Sequence, residues 1–270
     1  MKTLTVLHAG CVKTPLKEAA KRFMSHYKDV SINMKGDHSV SCIRRLLAGE
    51  PCDVIVSADD QLLESMLLPK YIDGYRVFAG NSMSLMATQD ELPVSTEAWL
   101  ETLTNQRITF GHYDPATDPG GYRAVMACLL ADHVQPGLSR KLLDHPGRIV
   151  LGPNQEKTPQ FIFTYLSDAI KSGRSYALLP DEMSLSNEAL NALYYTVTFN
   201  VGETVVHGAD ISHALAIPGT ANNPKLAQQF VQEFLSIDLT PGGFTSKCRI
   251  FGKDPLATLS PRLPPHQVRV

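Results

Sequence analysis

The sequence predicts an α/β protein that is divided into two lobes. Short apolar segments alternate with amphipathic segments, and this strand–helix unit occurs three times within the first 70 residues. A second series of such units follows from about residue 82. Continuous apolar strands that alternate with helices are typical of a parallel sheet covered on both faces. Because no flexible or low-complexity linker separates the two series, we expect a hinge made of strands.

The first series begins with a buried strand at Thr3–His8 and a small-residue turn. The next helix has clear start signals, with Thr14 as the N-cap and Pro15 at the first helical position. The apolar residues of this helix repeat at helical spacing and include Leu16, Ala19, Ala20 and Phe23. The series continues with a strand through Val30, Ile32 and Met34, a helix capped by Ser39, a strand at Cys52–Ser57 and a helix capped by Asp59 or Asp60.

The second series predicts the other lobe. Its strands are expected at residues 82–88, 107–111, 148–151 and 175–179, and its helices at about 121–132 and 159–172. Strands at 194–201 and 212–217 and a helix that begins at Pro224 close the fold. We therefore predict lobe 1 at residues 1–82 plus 206–270 and lobe 2 at residues 83–205, with crossings near 80–90 and 200–215. The tail from Asp254 contains four prolines and is expected to be extended or poorly ordered.

The composition argues against several classes of protein. Hydrophobic residues make up 43% and charged residues 19% of the 270 residues, an ordinary globular balance. The net charge is −2 without a basic stripe, so nucleic acid is not an expected partner. No apolar run approaches the ~20 residues that span a bilayer. The stretch after Met1 is too short for a signal peptide, so we expect either a cytoplasmic protein or a mature form restarted with methionine.

No familiar cofactor, metal or catalytic motif is present. The sequence contains neither GxGxxG nor GxxxxGK[ST], and its nine histidines include no HExxH. The five cysteines form no CxxC pair, and scattered buried thiols are expected, although Cys42 and Cys52 are near enough to meet across a helix–strand turn. His8, His38 and His112 are interpreted as caps or surface groups, with His8 and His38 near the expected ligand site. We predict no cofactor and no catalytic residue.

Four turns that each follow a strand and precede a helix predict an anion site. They contain Ala9-Gly10-Cys11, Asp37-His38-Ser39, Ser57-Ala58-Asp59 and Asp114–Tyr122. In open parallel sheets, ligands bind beyond the carboxyl ends of the strands. Helix N-termini there offer unpaired N–H groups and a partial positive charge. Any one of these turns is explained by ordinary capping, whereas the set together favours anion binding.

Two segments carry a family resemblance. Asp118-Pro119-Gly120-Gly121-Tyr122-Arg123 precedes a helix, and Leu179-Pro180-Asp181-Glu182 ends an apolar strand. Together with Ala9–Phe23, Ser57–Asp59 and Phe78–Met83, they resemble the archaeal-type molybdate/tungstate-binding proteins of ABC transporters, in the same order from about residue 4 to 235. The resemblance implies a type II periplasmic-binding-protein fold, with a tetrahedral oxyanion held in the cleft between two lobes.

The resemblance also implies which residues bind. Asp118 and Glu182 would be the carboxylate ligands of molybdenum or tungsten in the bound oxyanion. The other ligand contacts would come from Cys11, Ser39, Ser57, Ala58 and the N–H of Tyr122. Cys11 departs from the family's serine; its pKa is expected to fall near a helix N-terminus, and a thiolate would repel an anion. The implied protein is a periplasmic or cell-surface monomer whose signal sequence is not present in this chain and which delivers its ligand to an ABC permease.

Three alternatives stay open. The same fold could bind phosphate, sulfate or a small organic anion, and Cys11 favours such a changed specificity. It could also serve as the ligand-sensing domain of a regulator, although no helix-turn-helix segment precedes Thr3. A hydrolase would need a nucleophile and a base in one cleft, for which only Cys11 with His8 or His38 is available.

Overall fold

The computed structural model of the chain describes residues 2–152 and 157–257. Its strands are β1 (Lys2–Ala9), β2 (Val30–Asp37), β3 (Val54–Ser57), β4 (Gly74–Gly80), β5 (Met83–Ala87), β6 (Phe110–Tyr113), β7 (Arg148–Leu151), β8 (Phe161–Tyr165), β9 (Tyr176–Leu178), β10 (Thr198–Val201), β11 (Thr204–His207), β12 (Ser212–Ala216) and β13 (Thr245–Gly252). Its α-helices are α1 (Lys13–His26), α2 (Ser39–Leu47), α3 (Asp60–Leu67), α4 (Trp99–Thr104), α5 (Pro119–Leu130), α6 (Leu138–Leu143), α7 (Leu166–Ser172), α8 (Asp181–Ser184), α9 (Asn191–Tyr194) and α10 (Pro224–Leu235). None of these helices combines the length and the apolar character that a membrane span requires.

A six-stranded sheet is built from both ends of the described chain. Its strand order is β13-β4-β12-β3-β1-β2. β1 pairs in parallel with β2 and β3, whereas β12 runs antiparallel to β3 and β4, and β13 antiparallel to β4. The prediction of a parallel sheet is therefore correct for β1, β2 and β3 and wrong for β4, β12 and β13. Periodicity reports which residues are buried and carries no information on strand direction.

A five-stranded sheet lies in the middle of the sequence, in the order β7-β6-β8-β5-β9. β6 is parallel to β7 and β8, and β5 is antiparallel to β8 and β9. We define lobe 1 as the six-stranded sheet with α1, α2, α3 and α10, and lobe 2 as the five-stranded sheet with α5, α6 and α7. The chain thus has the mixed α/β architecture of two sheet-centred lobes.

The first helix follows the predicted amphipathic pattern. The buried residues of α1 are Leu16, Ala19, Ala20 and Phe23, all on the expected apolar face. The ring of Phe23 meets that of Phe230 in α10 edge-on, with centroids 5.6 Å apart. The predicted cap at Thr14 is wrong, because a 3-10 turn at Gly10–Val12 leads directly into α1 at Lys13.

Two other element predictions differ from the structure. The helix expected at about 159–172 is strand β8 followed by α7, because the alternating aromatic residues Phe161, Phe163 and Tyr165 form a fully buried strand. The strand expected at 194–201 is α9 followed by β10. The Asp254 carboxylate binds Arg76 at 2.6 Å, so the first residues of the predicted extended tail are docked, and residues 258–270 lie outside the described part.

The chain crosses from lobe 1 to lobe 2 at Asn81–Ser82, between β4 and β5. Asn81 is buried; its Nδ2 donates to Ser167 Oγ in α7 at 2.8 Å and lies 3.1 Å from Nε2 of His213 in β12. The crossing is therefore bonded to both lobes. The expected boundary at 82/83 falls at the start of β5, and the expected boundary at 205/206 falls inside β11.

Candidate functional site

A cavity of about 540 Å³ lies between the two lobes. Lobe 1 lines it with residues 8–11, 36–39 and Ala58, and lobe 2 with residues 118–120, 164–165, Asp168 and the end of α7. These turns meet because β1, β2 and β3 are parallel, so that their carboxyl ends share one edge of the sheet. In lobe 2 the parallel pairing of β6 with β8 brings the turns after both strands to one edge in the same way.

Four of the predicted site residues line this cavity. They are Cys11, Ser39, Ala58 and Asp118. Ser39 is buried and its Oγ accepts the Ala58 N–H at 3.0 Å, which connects the start of α2 to the end of β3. The predicted N-cap role of Ser39 is wrong, since His38 occupies the cap position and Ser39 is the first helical residue. The N–H groups of the first turn of α2 have no acceptor within the helix.

Asp118 is the N-cap of α5 and is held by donors from both lobes. Its Oδ1 accepts the N–H groups of Gly120 at 2.6 Å and Gly121 at 3.3 Å. Its Oδ2 pairs with Nδ1 of His38 from lobe 1. The hydrogen bond to Asp118 raises the pKa of His38, which favours the charged imidazolium next to the carboxylate. The carboxylate is therefore satisfied within the protein and spans the cleft.

His8 and His38 both line the cavity, in agreement with their expected position near the ligand site, and His38 is also the predicted kind of cap, at the N-terminus of α2. His8 is buried and its Nδ1 lies 2.8 Å from the Ala9 carbonyl oxygen. Burial lowers the pKa of His8 and favours the neutral ring. Gly36 is required beside it, because an added Cβ would lie 2.6 Å from the ring atom Cε1.

The Cys11 side chain is a neutral thiol. Its Sγ lies 3.9 Å from Nδ1 of His213. Burial raises the pKa of Cys11, and the carboxylates of Asp168 and Asp118 add to the rise. The expectation of a lowered pKa is wrong, because desolvation and the two carboxylates outweigh the hydrogen bonds from the backbone N–H groups of Cys11 and Val12. A neutral thiol does not repel an anion.

Sequence analysis missed the contribution of β8 and α7 to the cavity. Tyr165 and Asp168 line it together with Lys171. Burial raises the pKa of Asp168, Lys171 opposes the rise and Asp118 adds to it. Because residues 159–172 were predicted as one helix, the turn between β8 and α7 was not predicted. It is a fifth strand–helix turn at the cavity.

The comparisons with known proteins agree with this architecture. Residues 4–237 match the model of a family described as bacterial extracellular solute-binding protein. The chain belongs to this family.

The two relatives compared by sequence share less than 30% identity with this chain. The solute-binding protein is 29% identical over 249 residues to an uncharacterized solute-binding protein of Petrotoga mobilis, with 85% of this chain and 78% of the relative covered. It is 27% identical over 278 residues to the molybdate/tungstate-binding protein WtpA of Thermococcus kodakarensis, with 86% and 78% covered. The periplasmic molybdate-binding protein of Azotobacter vinelandii has the same fold, with a TM-score of 0.68 at 15% identity over 90% of this chain and 99% of that one.

In this solute-binding protein, the last two residues of the glycine-rich segment Asp118–Arg123 connect the two lobes. Tyr122 Oη donates to Asp59 Oδ2 at 2.7 Å, and Arg123 Nη2 donates to the same oxygen at 2.6 Å. Arg123 Nη1 also donates to the His207 carbonyl oxygen at 3.0 Å. Asp59 caps α3 of lobe 1, whereas Tyr122 and Arg123 lie in α5 of lobe 2. These buried contacts hold the two lobes together beside the cavity.

Three predicted site residues do not line the cavity of the solute-binding protein. The Tyr122 N–H donates to the Asp118 carbonyl oxygen at 3.2 Å, as the first helical bond of α5. Ser57 Oγ donates to the Asp59 carbonyl oxygen at 2.7 Å and accepts the Asp59 N–H at 3.1 Å. Neither group is therefore free for a ligand here. Glu182 is half-buried in α8 and is not among the residues that line the cavity, whereas Asp118 is.

Proposed function

We propose that this solute-binding protein binds a tetrahedral oxyanion, molybdate or tungstate, and delivers it to the permease of an ABC importer outside the cytoplasm. The observation that carries the proposal is the convergence of strand–helix turns from both lobes on one cavity. Helix N-termini in such turns bind anions through unpaired N–H groups and their partial positive charge. The WtpA relative of Thermococcus kodakarensis, named for molybdate and tungstate, supports this choice of ligand.

The proposed mechanism is closure of the two lobes on the ligand. A ligand shifts an open–closed equilibrium by its difference in affinity for the two states. The ligand is released unchanged, so this mechanism requires no catalytic residue. We propose that it acts as a monomer in the periplasm or at the cell surface, with lobe boundaries at residues 82/83 and 205/206.

The proposed ligand contacts are Cys11, Ser39 and Ala58 from lobe 1 and Asp118 from lobe 2. An ionised carboxylate repels a free dianion, by ~1 kcal/mol per charge pair at contact in water. Asp118 is therefore useful only if it bonds to a high-valent metal centre or accepts a proton that the ligand carries. Glu182 remains a proposed second metal ligand. Because it belongs to lobe 2 like Asp118, it would need a shift of α8 within that lobe to reach the anion, whereas Asp168 already lines the cavity.

A second candidate ligand is phosphate or a small organic anion. The cavity volume of about 540 Å³ favours the organic anion over any four-oxygen anion, phosphate included. Four oxygen atoms need at most roughly 120 Å³ at the liquid-water volume of about 30 Å³ each. The remaining space accommodates either ordered water or the organic part of a larger anion, and lobe closure would reduce it.

A thermal-shift screen of the full chain tests the function. The ligands would be molybdate, tungstate, sulfate, phosphate and small carboxylates. A ligand at 100 times its dissociation constant stabilises the folded state by about 2.7 kcal/mol. A response to molybdate and tungstate alone supports the first candidate, and a response to phosphate or an organic anion alone supports the second. No response to any of them contradicts oxyanion binding.

A further inference from the structure

Tyr165, the last residue of β8, has a hydroxyl group without a hydrogen-bond partner. Its side chain lines the cavity and only 4% of the residue is exposed. Within residues 2–152 and 157–257, its Oη finds no donor or acceptor. Buried polar groups are nearly always paired, and an unpaired one costs folding free energy. A phenylalanine would fill the same space without that cost.

The ring of Tyr165 lies beside the N-terminus of α5. A Cβ added to Gly120 would lie 3.8 Å from Cε2 and 3.9 Å from Cζ of Tyr165. The hydroxyl-bearing end of the ring is therefore beside the first turn of α5, where Gly120 itself lines the cavity. On another side, the ring of His213 meets Tyr165 edge-on with centroids 5.5 Å apart. The ring is thus fixed between the two lobes.

Two side chains beside this ring, His213 and Cys11, are uncharged, although the charges of Asp118 and Arg123 also act on Tyr165. Burial lowers the pKa of His213 to about 3, so its imidazole is neutral near pH 7. Cys11, which contacts His213, is a neutral thiol for the reason given above. Burial also raises the pKa of Tyr165, which keeps its hydroxyl proton. Tyr165, His213 and Cys11 are therefore uncharged polar groups in this part of the site.

We propose that the Tyr165 hydroxyl donates a hydrogen bond to an oxygen atom of the bound anion and selects ligands that present an acceptor there. This inference rests on the proposed function, since it needs an anion in the cavity. A ligand contact would explain why the Tyr165 hydroxyl has no partner among the described residues although its side chain lines the cavity. It also gives lobe 2 a ligand contact other than Asp118, whose oxygens already accept three donors.

The test compares the full-length wild type with Tyr165→Phe by isothermal titration calorimetry, using the anion that gives the largest thermal shift in the screen. Hydrogen bonds to charged groups predict a dissociation constant raised roughly 10- to 100-fold. The melting temperature without ligand is expected to stay unchanged or to rise, because an unpaired buried hydroxyl is removed. This combination separates a ligand contact from a structural residue.

Tyr75→Phe is the matched control. Its buried ring lies in lobe 1 and its hydroxyl donates to Glu64 Oε2 at 3.3 Å, away from the cavity. The control should bind the anion like the wild type. A Tyr165→Phe affinity within twofold of the wild type, or a lowered melting temperature without ligand, overturns the role of Tyr165 alone. If the wild type binds none of the anions, the proposed function fails, and the inference that depends on it fails too.

Discussion

The buried ion pair between Asp59 and Arg123 predicts a large loss of stability when its cationic member is removed. Arg123→Met keeps most of the side-chain length and removes the guanidinium group. Asp59 would then remain buried with only the Tyr122 hydroxyl and the Gln61 N–H as donors. A carboxylate in that position lacks its counter-charge and much of its solvation.

The magnitude follows from burial. The side chains of Arg123 and Asp59 are 1% and 0% exposed. Breaking such a pair by removing one partner costs about 3–5 kcal/mol. With about 2–4 °C per kcal/mol for a chain of this size, the melting temperature should fall by roughly 6–20 °C.

Urea unfolding of the full chain at pH 7, followed by circular dichroism, measures the effect. The control is Arg140→Met, because Arg140 forms an ion pair with Asp144 in which the side chains are 88% and 70% exposed. That exposed pair should contribute less than about 1 kcal/mol. Adding Asp59→Asn to Arg123→Met should restore part of the stability, because it removes the unpaired charge while keeping an N-cap side chain.

The result that would refute the reasoning is a loss of less than 1 kcal/mol in Arg123→Met. An Asp59→Asn addition that lowers stability further would also refute it, since the buried charge would then not be the source of the cost. Either result would mean that the contact between α3 and α5 contributes little to holding the lobes together.

Three further predictions concern pH, packing and ligand binding. The lowered pKa of His213, about 3, means that the folded state takes up this proton less readily than the unfolded state. The free energy of unfolding should therefore decrease as pH falls below about 6.5, by up to about 1.4 kcal/mol per pH unit. In His213→Leu this pH dependence should be weaker, which urea titrations between pH 7 and pH 5 would measure. Gly121→Ala should lower the melting temperature by several degrees, because its Cβ would lie 2.4 Å from a backbone carbonyl oxygen of β6. Asp118→Ala should weaken anion binding at least tenfold in calorimetry, and Glu182→Ala should do so only if a shift of α8 within lobe 2 brings Glu182 to the ligand.

Each of these has an outcome that contradicts it. An equally steep pH dependence in His213→Leu would assign the acid sensitivity to other groups. A wild-type melting temperature in Gly121→Ala would show that the start of α5 shifts at little cost. Unchanged affinity in both Asp118→Ala and Glu182→Ala would remove carboxylate coordination from the proposed site.

The local parts of the fold could be predicted from the sequence. The apolar face of α1 and the turns after β1, β2, β3 and β6 follow from short patterns of neighbouring residues. The segment Phe161–Tyr165 could not be assigned in this way, because a short apolar run is compatible with either a buried strand or a helix. That single error concealed the cavity residues that a fifth turn would have indicated, among them Tyr165 and Asp168.

The roles within the glycine-rich segment could not be separated by sequence, because capping and ligand binding need the same residue types. Asp118 caps α5 and reaches the cavity, whereas Tyr122 and Arg123 bind Asp59, more than sixty residues earlier in the chain. Asp59 directly follows Ala58, which also lines the cavity. The contact between the lobes and the proposed ligand site are therefore adjacent, and only the tertiary structure distinguishes them.

This adjacency constrains how the lobes can open. Separating Asp59 from Arg123 while both stay buried would cost about 3–5 kcal/mol, a large fraction of the binding free energy of about 8 kcal/mol that a micromolar ligand supplies. A pair that broke on opening would itself favour the closed state without ligand, and the ligand would then shift the open–closed equilibrium little. We therefore expect the lobes to turn about this contact and to separate at His38 and Asp118, whose pair is half-exposed and easier to replace with water or ligand.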